Sequence, residues 1–114
     1  MNKPHLRAKI IFLRPEEGGF AKPHYSGVQP QLRIKDQFTS CIVWGATVGQ
    51  LFEPGEEYEV SLELPSWTEY KDAIFVGMPV QLNDGSRVVG RGVIDAILVP
   101  YYPDLAEPDR PVPS

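Results

Sequence analysis

Two stretches of this chain alternate strictly between apolar and polar side chains, and that period of two constrains the fold more than any other feature. In Gln31-Leu32-Arg33-Ile34-Lys35 the even positions are apolar and the odd ones polar, and Tyr58-Glu59-Val60-Ser61-Leu62-Glu63-Leu64 repeats the pattern. Successive side chains of a strand point to opposite faces, so each stretch reads as a strand with one wet face. Ala8 to Leu13, Cys41 to Trp44, Val80 to Leu82 and Arg87 to Leu98 add β-branched or apolar segments, which gives about six strands. Breakers fall between them: Pro15 with Gly18-Gly19, Gly27 with Pro30, Gly45 and Gly49, Pro54-Gly55, Pro65, and Asn83-Asp84-Gly85-Ser86. The last is the clearest hairpin signal, because Asp-Gly supplies the positive φ that a tight turn requires. With twelve prolines and ten glycines in 114 residues, a mainly helical protein is excluded.

Gly90 and Gly92 are two apart and therefore share one face of the last strand. Glycine inside a strand marks a bulge or a close backbone approach, which a sharply bent barrel strand needs. Closure also removes the exposed edges of a small all-β chain. The expected fold is thus all-β, a six-stranded antiparallel barrel over residues 1–99. Residues 100–114 carry five prolines and little apolar content beyond Tyr101, Tyr102, Leu105 and Val112, and read as an extended Pro-rich C-terminal tail with polyproline II character.

Charge and cysteine content narrow the function. Net charge is −4, but residues 1–35 hold seven basic side chains against two acidic ones, and residues 36–114 hold four against thirteen. An acidic chain is a poor general binder of polyanions, while a local basic patch in the first third stays open. A single cysteine, Cys41, leaves no internal disulfide and no cysteine-rich zinc site, in keeping with a reducing compartment. The longest uncharged stretch, Gln37 to Phe52, is 16 residues and partly polar, too short and too wet to span a bilayer. Residues 1–5 build no apolar signal core. A cytoplasmic location without membrane contact is expected.

The order of features resembles a known family. An opening strand leads to Glu17-Gly18-Gly19, a loop with Gly27 and Pro30-Gln31, a Pro54-Gly55-Glu56 turn, and Asp84-Gly85-Ser86-Arg87-Val88-Val89-Gly90-Arg91-Gly92-Val93-Ile94. This is similar to the C-terminal (third) domain of bacterial elongation factor Tu, over about residues 7–98. The resemblance implies a six-stranded Greek-key barrel and a non-catalytic binding role in translation, toward a protein of that machinery or an RNA. No Gly-x-x-x-x-Gly-Lys-Ser/Thr run is present, so no GTP binding of the P-loop kind is expected. The family's Arg-His pair after Glu-Gly-Gly falls on Phe20 and Ala21, and its Tyr-Arg before Pro-Gln on Val28 and Gln29, which removes cationic phosphate contacts. Gln31 and Arg87 match. Between Leu64 and Gly77 the chain is about four residues longer than the family, with Trp67 and Tyr70 in the insertion. Weak tRNA or single-stranded RNA binding is therefore the most that is expected of RNA.

The residues themselves offer little catalytic material. His5 and His24 read as solvated loop side chains, and with no further ligands they call for no metal. Cys41 beside Ile42, Val43 and Trp44 reads as a core thiol. Glu53, Glu56 and Glu57 flank a convex turn and read as solubilising charges. Neither a cofactor nor an enzyme activity is expected. The candidate partner-binding residues are Phe20, Lys22, His24 and Tyr25 in the Gly18 to Pro30 loop, Gln31 and Arg87, and the inserted aromatics Trp67 and Tyr70, a set of aromatic and basic side chains suited to stacking or to a protein interface. For Trp67, core packing and partner contact are both open. A second reading of the whole chain is a self-associating or protein-interaction scaffold with no RNA role.

Overall fold

The computed structural model describes residues 4–98; the Pro-rich tail inferred for residues 100–114 lies outside the described residues. The chain is mostly antiparallel β-sheet. Its strands are β1 (Leu6–Phe12), β2 (His24–Tyr25), β3 (Gln31–Ile34), β4 (Gln37–Ser40), β5 (Ile42–Trp44), β6 (Leu51–Phe52), β7 (Glu57–Glu63), β8 (Pro79–Asp84) and β9 (Arg87–Ile97), with one short helix, α1 (Trp67–Tyr70), between β7 and β8. All six stretches read as strands from the sequence are strands. Three further ones, β2, β4 and β6, bring the number among the described residues to nine. β4 escaped because its pattern is inverted: the large apolar Phe38 faces out, 45% exposed, and the small Thr39 faces in. β2 and β6 are two residues each, too short to show any period.

Seven strands form one sheet in the order β4-β3-β8-β9-β1-β7-β5, curled into a half-barrel, and β2 pairs with β6 beside it. The first and last strands meet in the middle of the sheet, Leu6 opposite Ile97 and Phe12 opposite Gly90. Alternation sorts the faces as expected: Leu6, Ala8, Ile10 and Phe12 of β1 are buried, with Arg7, Lys9 and Ile11 between them outside. Leu32 and Ile34 from β3, Val60 and Leu62 from β7, and Val80 and Leu82 from β8 complete a single core around Phe12 and Phe52, whose rings stack at 4.9 Å. Removing apolar area from water stabilises each such side chain by about 1.5–3 kcal/mol.

Two turns set the register. Gly85 sits at φ 64° in the two-residue turn joining Asp84 to Arg87, as Asp-Gly led one to expect. Lys35, not a glycine, takes φ 56° in the equivalent turn between β3 and β4. β9 carries two irregularities, at Val89 opposite the Leu82/Asn83 step and at Asp95 opposite the Arg7/Ala8 step. Between them Gly92 crosses β1 so closely that an added Cβ would overlap the Lys9 carbonyl. The chain just before β3 also bonds to β5 at the far edge of the sheet. Val43 donates its N–H to the Val28 carbonyl at 2.9 Å, Gly27 to the Val43 carbonyl at 2.7 Å, and Cys41 to the Pro30 carbonyl at 3.1 Å.

Candidate functional site

The candidate residues fall into two groups at opposite ends of β1. Near its Phe12 end lies the loop that β2 and β6 pin together through His24 opposite Phe52 and Tyr25 opposite Leu51. Within it Phe20 is turned into the core and packs on the His24 ring, centroids 3.8 Å apart. Lys22 and Tyr25 are exposed, Tyr25 by 63%. Gln31 stands exposed on β3 opposite Asn83, and Asn83 lies opposite Val88, next to Arg87. Arg87 reaches across its turn to Asp84 at 2.9 Å. Lys22, Tyr25, Gln31 and Arg87 are therefore presented to solvent, and Phe20 is not.

Trp67 and Tyr70 occupy the other end, on α1. Both are half-buried and pack against the core. Trp67 stacks on His5 at 5.2 Å with the rings 21° apart. His5 is not the solvated side chain its place in the sequence suggested: its Nδ1 accepts the Leu64 N–H at 3.0 Å. An acceptor nitrogen must be unprotonated, and burial lowers the imidazole below its usual 6.5, with the nearby Glu63 carboxylate opposing. Glu63 itself is 4% exposed and accepts the Trp44 indole N–H at 2.9 Å. Although alternation puts Glu63 among the polar positions of its strand, it is buried and serves as a hydrogen-bond acceptor. Neither pair is legible in the sequence: Glu63–Trp44 needs Ile42 opposite Glu63, His5–Trp67 needs His5 bonded to Leu62 and Leu64, and no local pattern encodes either.

These polar groups are committed to holding the fold. The Cys41 thiol is buried and its pKa pushed up to about 12 by that burial, so it stays protonated and a weak nucleophile at neutral pH. Among the described residues no group of three His, Cys, Asp or Glu converges as a metal site, and no helix is long and apolar enough to cross a membrane. What the geometry offers is a curled antiparallel half-barrel with polar and aromatic surface at one end and a helix-covered base at the other. No protein-family model matches the chain.

Proposed function

We propose that this chain is a non-catalytic binding module, a free-standing relative of the third domain of elongation factor Tu, that works in the cytoplasm and engages a protein of the translation machinery. The observation that carries this reading is the hydrogen bonding of residues 27–30 to residues 41–43. If β4 and β5 are one strand bent at Cys41, those bonds join the two edges of the sheet. The ring then runs β1, β7, β5 with β4, β3, β8, β9 and back to β1, a six-stranded Greek-key barrel of the kind the sequence resemblance implies. The engagement of His5, Cys41 and Glu63 in packing and in hydrogen bonds within the fold supports a binding role over catalysis.

A protein partner is favoured over RNA because Phe20, at the family's Arg position, is in the core, and the neighbouring Ala21 brings no charge. The test is affinity capture from cell extract with and without ribonuclease, read by quantitative mass spectrometry against a tag-only control. Enrichment of elongation factors or ribosomal proteins that survives nuclease treatment is expected. Absence of any such enrichment sinks the reading, and enrichment lost on nuclease treatment transfers the role to RNA.

A further inference from the structure

Among the described residues β4 has a neighbouring strand on one side only, β3. The Cys41 N–H donates to the Pro30 carbonyl at 3.1 Å, and bonded pairs alternate along an antiparallel ladder. Thr39 with Leu32 and Gln37 with Ile34 are therefore the next bonded pairs, and Phe38 and Ser40 turn their N–H and C=O groups away from β3. Further along the chain Cys41 and Val43 bond residues 28–30, so Ile42 and Trp44 use that same outward side to meet β7, opposite Glu63 and Ser61. Continued pairing would bring Pro65 opposite Ser40, but proline has no N–H to give and the chain turns into α1 there. The curled sheet is left with an open corner. Gln37, Phe38 and Ser40 are exposed, and β4 pairs regularly with no charge, proline or bulge among its residues. Charges, prolines and bulges are what natural proteins use to guard an edge, and only the strand's length of four residues limits what this one can pair with.

That edge is complementary to a copy of itself. Two β4 strands set antiparallel about a two-fold axis at Thr39 bring Phe38 opposite Ser40 of the second copy, and Ser40 opposite its Phe38, so every outward N–H meets an outward C=O. An axis at Phe38 would set Ser40 against the turn residue Asp36, and one at Ser40 would set Phe38 against Ile42, whose backbone groups β7 already holds. Only the Thr39 register satisfies all the free groups. The two Phe38 residues then lie diagonally across the axis, about 7–8 Å apart at the backbone, within reach of each other's rings. This gives a use to an aromatic side chain that is 45% exposed while the core-facing position beside it holds threonine. The pairing also sets no like charges opposite one another, since Gln37 to Ser40 are uncharged. The Arg33 backbones beside them on β3 stand three strand spacings or more apart, about 14 Å. We infer that the β4 edge is a self-association surface at which two copies of this chain join their sheets through Phe38 and Ser40. This goes beyond the translational partner and does not depend on it. So short a pairing buries far less than the roughly 1,200 Å² of a lasting interface, so the dimer is transient and forms at high protein concentration.

The experiment follows the full chain by sedimentation equilibrium and by backbone amide NMR from about 10 μM to about 1 mM, the range in which weak pairs form. The average mass is expected to rise from 12.8 kDa toward twice that value, with the amides of Phe38 and Ser40 shifting as it does and those of Val60 and Leu62 staying in place. Phe38→Lys and Phe38→Glu each lose the ring contact and bring like charges together, and each is expected to weaken association about tenfold; mixing the two variants restores it, because the diagonal pair is then of opposite charge. Ser40→Pro removes an N–H that β3 does not use and is expected to abolish association, with unmoved Val60 and Leu62 amides showing that the fold persists. A wild type that stays monomeric at about 1 mM overturns the proposal and leaves the edge to a strand of another protein. Association that Ser40→Pro and Phe38→Lys both leave unchanged overturns it too, as does slow hydrogen exchange at Phe38 and Ser40 in dilute wild type, which would show the edge covered by its own chain.

Discussion

Lys35 is the one non-glycine at positive φ among the described residues, at 56°. An L side chain in that left-handed region crowds the following carbonyl and costs about 1–2 kcal/mol, less for asparagine. Lys35→Asn is therefore expected to stabilise the protein by about 0.5–1 kcal/mol, read as a higher urea midpoint with an unchanged slope; a lower midpoint would mean that Lys35 holds a contact of its own. His5 makes stability depend on pH. Its folded pKa lies below 6.5, so as pH falls the unfolded chain takes up the proton first. Its contribution is complete above 6.5 and is lost as pH drops from there through the lower folded value. The urea midpoint of the wild type is expected to fall on acidification past 6.5, and that of His5→Gln, which keeps an acceptor and does not titrate, to fall less. Equal losses would assign the dependence to another group.

At the scale of elements β9 is the most demanding strand. An alanine Cβ at Gly92 meets the rigid Lys9 backbone, whereas at Gly90 it meets the Leu82 and Ile10 side chains at 3.3 and 3.4 Å, which can give way. Gly92→Ala is expected to destabilise by about 1–3 kcal/mol through overpacking and Gly90→Ala by clearly less, measured by thermal unfolding; the reverse order would show that the strands cross elsewhere. That glycine pair was legible from spacing alone, as were β3 and β7 from alternation and the β8–β9 turn from Asp84-Gly85. The elements that escaped are those whose cause is not local. Thr39 faces inward and Phe38 outward because Phe38 sits opposite Arg33 and Thr39 opposite Leu32, and β2 exists only where β6 meets it. Of the candidate site, the exposed Lys22, Tyr25, Gln31 and Arg87 were readable as surface. Phe20 was not, since a short loop anchored at both ends can turn an aromatic ring into the core where the hydrophobic gain is largest.

For the whole molecule charge sets what can bind. Lys22, Arg33, Lys35 and Arg87 are the cations of the candidate loop, of β3 and of the hairpin turns, and Arg33 and Arg87 each face an aspartate, at 3.8 and 2.9 Å. Counterion release should then involve about one to three charges, with tRNA affinity in the non-specific range of about 10⁻⁴ to 10⁻⁶ M and a shallow salt slope. A mobility-shift titration at two salt concentrations against aminoacyl-tRNA, single-stranded and duplex RNA tests this, and sub-micromolar, duplex-selective binding would restore a tRNA role. The pairing of β1 with β9 has its effect earlier, during synthesis. Leu6 waits for Ile97, so the opening strand lacks one of its two sheet neighbours until almost the whole described chain has been made. A topology closed by its most distant contact folds slowly, in milliseconds to seconds, and shows no stable half. A nascent chain stalled before Arg87 is thus a substrate for chaperones and proteases rather than a partial barrel.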